Sequence, residues 1–296
     1  MIVIVGGSGF VGSALVKQLH KAGVPCRVVV RHPGRFRDPE LTHSESVVGD
    51  IRSVTSLESA FQGAKAVINL VGILAETGGQ TFEEIHYQGT CNVIAACKNA
   101  QVERLLQMSA LGTRPAAQSL YHQTKWKAEE KIRISGLNWT IFRPSVIFGQ
   151  YDDFANRFAS LLRFSPIAPL IGDGTAKMQP VWVEDVATCF RIAIDDERTM
   201  GQTFELGGPE QLSFNQIMQA ILDAMDIHRP KLGLPMPLLK LEASLFEKVL
   251  PNPPLTNDQL IMASEDNITD QDPLRELFRL TPRRFADELP SYIGRK

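Results

Sequence analysis

Short runs of apolar, mostly β-branched residues alternate with stretches of helical period along the first half of the chain. Residues 2–5 are apolar at every position, the mark of a strand buried on both faces. Across 10–22 the apolar residues fall at Val11, Ala14, Leu15 and Leu19, and Gly23 stops the helix that this period predicts. Further strands are predicted at 27–31, 46–48, 66–71, 104–108 and 139–142. Helices are predicted between them at 55–62, from 81 to about 99, and at 119–134. Thr81-Phe-Glu-Glu84 is a capping box that opens the second of these, and Gly136 ends the third. Such alternation predicts an α/β fold, a doubly wound parallel sheet of Rossmann type with helices on both faces.

After about Gly149 the rhythm changes. Residues 152–163 read as a helix, 179–183 and 203–206 as strands, and 186–195 as a helix between them. Ser213-Phe-Asn-Gln216 is a second capping box, opening a helix over 217–225. Beyond it, Pro230, Pro235, Pro237, Pro251, Pro253 and Pro254 break a helical pattern into short pieces. Residues 237–250 place Leu238, Leu241, Leu245 and Val249 on one stripe, with Leu239, Phe246 and Leu250 beside it. Such a helix covers its own core, which is the expectation here, or docks on a membrane surface or a partner. The expected organisation is a nucleotide-binding domain of 1–150 plus about 178–207. Residues 151–177 and 208–296 remain for a small, mainly helical substrate or lid domain.

Composition narrows the class. The 296 residues are 44% hydrophobic and 22% charged, as in an ordinary globular protein, which excludes disorder, collagen and coiled coil. Lys and Arg number 31 against 33 Asp and Glu, a balance that argues against a nucleic-acid partner. Cys26, Cys91, Cys97 and Cys189 have no CxxC spacing and read as core residues of a reducing compartment. The six histidines form no HxxxH or HExxH pair, so no metal site is expected. No apolar run reaches the roughly 18–20 residues of a transmembrane helix. Residues 1–5 have no basic flank and meet Gly6-Gly7 at once, unlike a signal peptide. A cytoplasmic protein is expected, with peripheral contact at the inner membrane left open.

Two motifs carry chemistry. Gly6-Gly7-Ser8-Gly9-Phe10-Val11-Gly12 lies between the first strand and the first helix. Glycines there allow a tight turn and close backbone approach, and the helix start offers N–H groups and a positive dipole end to a pyrophosphate. Tyr121-His-Gln-Thr-Lys125 puts a tyrosine and a lysine one turn apart on one helix face. A phenol with a pKa near 10 is a poor acid-base at neutral pH, and a neighbouring ammonium lowers it. The same lysine can reach a ribose.

The spacing Gly6-x-x-Gly9-x-x-Gly12, with Tyr121 and Lys125 downstream, resembles the extended and atypical short-chain dehydrogenase/reductase family. Arg143-Pro-Ser-Val-Ile-Phe-Gly149 and Val181-Trp-Val-Glu-Asp185-Val-Ala187 are similar to two further segments of that family. The resemblance implies NAD(P) binding. An NAD enzyme ends its second strand in an acid for the ribose 2′-hydroxyl; this chain has Arg31, which suits the 2′-phosphate of NADP, with Arg35 and Arg37 near it. A solvated basic loop is the other reading of those arginines. By resemblance, Asp50-Ile51 meets the adenine, and Asn69, Leu70, Val71 and Gly72 lie where the fourth strand meets the cofactor. Pro144, Ser145 and Val146 lie near the nicotinamide. In the family pattern Tyr121 is the acid-base, Lys125 its activator, and a Ser or Thr after the fifth strand, here Ser109, orients the substrate oxygen.

Within the family, nucleotide-sugar enzymes carry an arginine seven residues before the second-motif Asp. That position is Met178 here, with Lys177 beside it, and a lysine does not replace a guanidinium fork. The wording of 109–112, 121–125 and 136–149 instead resembles the branch of the NADPH-binding accessory subunit of respiratory complex I and its bacterial relatives. Pro254-Leu-Thr-Asn-Asp-Gln-Leu260 and Asp266-Asn267 extend that likeness. The expectation is an NADP(H)-dependent oxidoreductase acting on a carbonyl or quinone-related small molecule. The alternatives are a non-catalytic NADPH-binding scaffold of a respiratory or quinone-synthesis assembly, and a nucleotide-sugar epimerase or dehydratase.

Overall fold

In a computed structural model, residues 1–32 and 43–293 are described. Pro33, Arg35 and Arg37 lie outside them. In chain order the first elements are β1 (Ile2–Val5), α1 (Phe10–Lys21), β2 (Cys26–Val30), β3 (Ser44–Val48), α2 (Val54–Phe61) and β4 (Ala66–Asn69). A π-helical turn, Glu83–Gln88, leads into α3 (Gly89–Asn99), followed by β5 (Arg104–Met108), α4 (Leu120–Arg133) and β6 (Asn138–Pro144). Then come β7 (Ile147–Phe148), α5 (Ala155–Phe164), β8 (Ala168–Ile171), β9 (Lys177–Met178), β10 (Val181–Trp182), α6 (Val183–Ala193) and β11 (Gln202–Leu206). The last are β12 (Leu212–Ser213), α7 (Phe214–Ala224), β13 (Lys231–Leu234), α8 (Met236–Val249), α9 (Asn257–Ser264), α10 (Pro273–Glu276), α11 (Phe285–Glu288) and α12 (Pro290–Ile293).

Seven strands form one parallel sheet in the order β11-β6-β5-β4-β1-β2-β3. The chain runs outward from β1 through β2 to β3, then returns to β4 on the other side. Ligands of such sheets sit beyond the strand ends at this reversal, between β1 and β4. β1, β4 and most of β2 are buried on both faces, which is why their sequences are continuous rather than alternating. Val3, Val5, Leu57, Phe61, Val67, Val93 and Leu105 form the core between one sheet face and its helices. Burial pushes the Cys26 thiol up to about 11 and Cys97 up to about 12, so both remain protonated core side chains.

The chain divides into two compact units. The first holds Met1–Glu76, Gln80–Arg143 and Val186–Phe204; the second holds Thr77–Gly79, Pro144–Asp185 and Glu205–Lys296. Buried Arg104 binds the returning segment into the first unit. Its Nη2 donates to Thr140 Oγ1 at 2.8 Å, Thr199 Oγ1 at 2.9 Å and Ala193 O at 2.5 Å. The second unit has its own core of Phe148, Leu162, Phe214, Ile217, Ile221 and Phe285. Met178 is buried in that core rather than presented to a ligand.

Three sequence expectations change. The strand expected over 179–183 shortens to β10 and pairs with β7, so within 178–207 only β11 enters the main sheet. Pro180 has no N–H to give, and the Gln179 amide donates to Ser145 Oγ instead. The helix from the first capping box begins with the π turn, although Glu84 N does donate to Thr81 Oγ1 at 3.1 Å. Helix α8 buries only Leu239 and Ala243, leaving the Leu238, Leu241, Leu245 and Val249 stripe exposed. Among the described residues no helix is long and apolar enough to cross a membrane.

Candidate functional site

The glycine turn after β1 is dictated by contacts. Gly6 has φ +86°, a left-handed conformation that side chains disfavour. A β-carbon on Gly12 would stand 2.4 Å from Gly6 O and 2.5 Å from Gly7 Cα, so only glycine lets α1 start this close to the turn. Gly7 packs down on Val28 in the same way. No side chain caps α1 at Gly9, so its first-turn N–H groups are not covered by a cap.

Around this turn lies a cleft of about 310 Å³, lined by Gly6, Ser8, Gly9, Arg31, Asp50, Ile51, Leu70, Val71 and Gly72, with Val29, Ile73 and Gln80 among the rest. Phe10, Val11 and Gly12 lie behind it in α1. Arg31 is exposed at the end of β2. Beyond β3, Asp50 N donates to Ser56 Oγ at 3.0 Å, which shapes the Asp50-Ile51 corner. The Asp50 carboxylate accepts from Arg52 Nε at 3.0 Å and Nη2 at 2.7 Å. Those hydrogen bonds hold it below the usual carboxylate range. Arg52 was not among the sequence candidates; its i+2 place after the acid is the one signal that marks it.

Asn69 lies beneath the cleft rather than in its wall. Its Oδ1 accepts from Val71 N at 3.2 Å and its Nδ2 donates to Gln107 Oε1 at 2.9 Å. Gln107 Nε2 donates to Met108 O at 3.0 Å, and Lys125 Nζ donates to the same carbonyl at 3.2 Å. A chain of hydrogen bonds therefore runs from the Val71 amide to the Lys125 ammonium.

Helix α4 carries Tyr121 and Lys125. Ser119 caps it, accepting from His122 N at 3.2 Å. Lys125 is buried, with Nζ 5.7 Å from the Tyr121 ring centroid. Burial lowers its ammonium to about 8, opposed by the charge of Glu129. Tyr121 is half-buried, and Phe82, His86 and His122 meet its ring edge-on at 5.8, 5.1 and 5.2 Å.

His86, on the π turn, is a second residue the sequence did not disclose. Its Nε2 accepts from Ile73 N at 3.1 Å, so the ring proton sits on Nδ1, facing Thr124 Oγ1 at 3.1 Å. Burial, then the nearby Lys125 charge, pushes it down to about 2. It stands as a neutral strut between the cleft wall and α4.

Ser109 is buried just after β5. Its Oγ donates to Glu129 Oε1 at 2.5 Å. Glu129 is 1% exposed and also accepts from Arg133 Nη2 at 2.5 Å and from Arg143 Nε and Nη2 at 2.9 and 2.7 Å. In the second unit, Ser145 Oγ donates to Asn267 Oδ1 at 2.6 Å and accepts from Gln179 N at 3.2 Å. Pro144 is buried, and Val146 packs against the second core.

Comparison with known proteins gives consistent relatives. A family described as NAD(P)H-binding matches residues 6–156, and one described as an RmlD substrate binding domain matches 112–249. Subunit 9 of the NADH dehydrogenase [ubiquinone] 1 alpha subcomplex, mitochondrial, of Arabidopsis thaliana is 30% identical over 289 residues, covering 92% of this chain and 71% of that protein. A ceramide reductase of Caulobacter vibrioides is 29% identical over 191 residues, 63% of this chain and 58% of that one. UDP-glucuronic acid 4-epimerase from Bacillus cereus, solved with UDP-glucuronic acid and NAD, superposes with a TM-score of 0.76 at 18% identity, covering 99% of this chain and 97% of that one. That likeness is one of fold.

Proposed function

This chain belongs to the NAD(P)H-binding short-chain dehydrogenase/reductase family, alongside the complex I subunits it resembles, and on that premise we propose that it is an NADP(H)-dependent oxidoreductase acting on a carbonyl or quinone-related small molecule. The carrying observation is that Tyr121 and Lys125 share a face of α4 while Lys125 Nζ abuts Gly72 in the cleft wall.

The residues fit such a nucleotide. The glycine cradle that β-carbons would fill, and the start of α1 without a side-chain cap, suit a pyrophosphate. Asp50 and Ile51 would meet the adenine, and Arg31 the 2′-phosphate. When bound, the nicotinamide supplies the hydride chemistry. The Lys125 ammonium favours the Tyr121 phenolate and holds the ribose. Tyr121 then gives or takes the proton at the substrate oxygen. The part given to Pro144, Ser145 and Val146 would fall to backbone groups, since the Ser145 hydroxyl is held by Asn267.

One observation favours a second reading. With its hydroxyl donated to Glu129, Ser109 is poorly placed to hold a substrate oxygen. A protein that keeps NADPH without turning it over, as an accessory of a respiratory or quinone-synthesis assembly, is consistent with that. A nucleotide-sugar reading has less support, because Met178 is buried in the core where an arginine fork would be needed.

The test is to identify the co-purifying nucleotide and to assay its oxidation against quinones, aldehydes and ketones. Turnover that Tyr121→Phe abolishes, with nucleotide affinity kept, supports the oxidoreductase. Tightly held NADPH with no turnover supports the second reading. Arg31→Asp should weaken NADPH far more than NADH; equal weakening removes the part given to Arg31.

A further inference from the structure

Arg31, just after β2, and Asp50, beyond β3, line the same cleft. Their charges are opposite, and the cleft is where ligand charge would be met. A carboxylate without a partner on this rim would do two things. It would draw the Arg31 guanidinium to itself, and it would repel a phosphate brought against that guanidinium. An acid here works against a 2′-phosphate unless another group occupies it.

Arg52 occupies it. Asp50 Oδ1 accepts from Arg52 N at 2.9 Å and from Nε at 3.0 Å, while Oδ2 accepts from Nη2 at 2.7 Å. This is a two-pronged fork, a geometry that a lysine cannot reproduce. The Arg52 hydrogen bonds are the first cause that holds the Asp50 carboxyl down, and the Arg31 charge reaches it as well. Both oxygens are thus taken up on the side of Arg52.

The corner that carries the fork is fixed on several sides. Ser56 Oγ lies 3.0 Å from Asp50 N and 3.2 Å from Asp50 O. Asn92 Nδ2 donates to Ile51 O at 2.9 Å. A β-carbon on Gly89 would stand 2.9 Å from Ile51 Cγ1, so α3 fits closely against the residue between the acid and the arginine. Arg52 Nη1 also lies 3.9 Å from Glu84 Oε1 on the π turn.

Place, rather than the fork itself, gives it a consequence. The same fork recurs where Arg198 Nε and Nη2 donate to Asp196 at 2.9 and 2.7 Å. That pair caps the single turn Glu197–Thr199 and lies outside the cleft. A solvent-exposed fork of this kind contributes little to stability. At Asp50 the same chemistry sits beside Arg31, where it acts on ligand charge.

We propose that Arg52 is a positioning residue for nucleotide selection, which grips Asp50 and so leaves Arg31 available to the 2′-phosphate, and that this role rests on the reading of the cleft as an NADP(H) site. Arg52 acts through Asp50 and makes no contact with the nucleotide.

The full chain is titrated calorimetrically with NADPH and with NADH, unaltered and as Arg52→Gln, Asp50→Asn and the double variant, with a thermal melt of each. Arg52→Gln should lower the ratio of NADPH to NADH affinity by about three- to tenfold. The drop should be larger at about 0.05 M salt than at about 0.5 M. Arg52→Lys, which keeps the charge without the fork, should restore only part of the ratio. Asp50→Asn removes the charge that Arg52 holds, so in that background Arg52→Gln should change the ratio by less than about twofold. The proposal is overturned if Arg52→Gln keeps the ratio of the unaltered protein. It is overturned equally if the drop is as large in the Asp50→Asn background, which would set the guanidinium on the phosphate itself. The NADP(H) reading fails separately: an unaltered protein that binds NADH at least as tightly as NADPH, or binds neither, removes it whatever the variants do, and this role with it.

Discussion

A β-carbon placed on Gly72 would stand 3.1 Å from Lys125 Nζ, so the lysine beside the tyrosine is pressed against the backbone of the cleft wall. Gly72→Ala should therefore displace the ammonium and weaken NADP(H) binding by about tenfold, while the melting temperature moves by only a few degrees. Calorimetric titration beside a thermal melt checks this. Unaltered affinity would mean that Lys125 does not position the nucleotide.

The lowered Lys125 pKa gives a pH signature. Free, its ammonium titrates at about 8, and a bound anionic nucleotide favours the charged form. Affinity should then be level below about pH 7.5 and decline as pH rises through 8, with proton uptake on binding in that window. Titrations in buffers of different ionisation enthalpy measure the uptake. The decline should be absent in Lys125→Met.

His86 makes the fold sensitive to acid. Its folded pKa is pushed down to about 2, whereas an unfolded histidine titrates near 6.5. Between these values the unfolded chain binds a proton that the folded one refuses. Stability attributable to this group is therefore present above about pH 6.5 and declines as pH falls below it, by at most about 1.4 kcal/mol per unit. Denaturant midpoints at about pH 7 and pH 5 should show a smaller loss in His86→Asn than in the unaltered protein.

Gly12→Ala tests the cradle. The added carbon would meet backbone atoms at 2.4 and 2.5 Å, and neither has a side-chain rotation to yield. A stability loss of about 1–3 kcal/mol is expected, together with loss of nucleotide binding. A melt and a titration on the same sample decide it, and full retention of binding would show that α1 can withdraw from the turn.

Ser109→Ala separates structure from chemistry. It removes a buried donor from Glu129 and should cost about 1–3 kcal/mol. If Ser109 is structural, any kcat falls no further than the loss of folded protein accounts for. A hundredfold loss of kcat in a sample that melts normally would return the serine to the substrate.

Local signals made much of this architecture legible. Buried strands read as unbroken β-branched runs, helix starts as Ser119, Ser213 and Thr81, and the glycine turn by its place between strand and helix. Side-chain direction across long separations was not legible. Ser109 lies twenty residues from Glu129, and His86 is fixed by a backbone amide thirteen residues earlier. Arg52 was hidden because a hydrophilic residue after a strand has no periodic signature. The α8 stripe is legible as a helical period, but period alone does not say which apolar side finds a core, and the side that does is that of Leu239 and Ala243 rather than the expected stripe.

The hydrogen-bond chain from Val71 through Asn69 and Gln107 to the Met108 carbonyl and Lys125 has a bearing on how this site can change over generations. Asn69 and Gln107 satisfy each other out of reach of water, so replacing either alone strands the other and disturbs the lysine at the far end. Descendants are thus expected to keep both residues or exchange both, and to alter ligand preference at the rim, through positions such as Arg31, where a single substitution disturbs no buried partner.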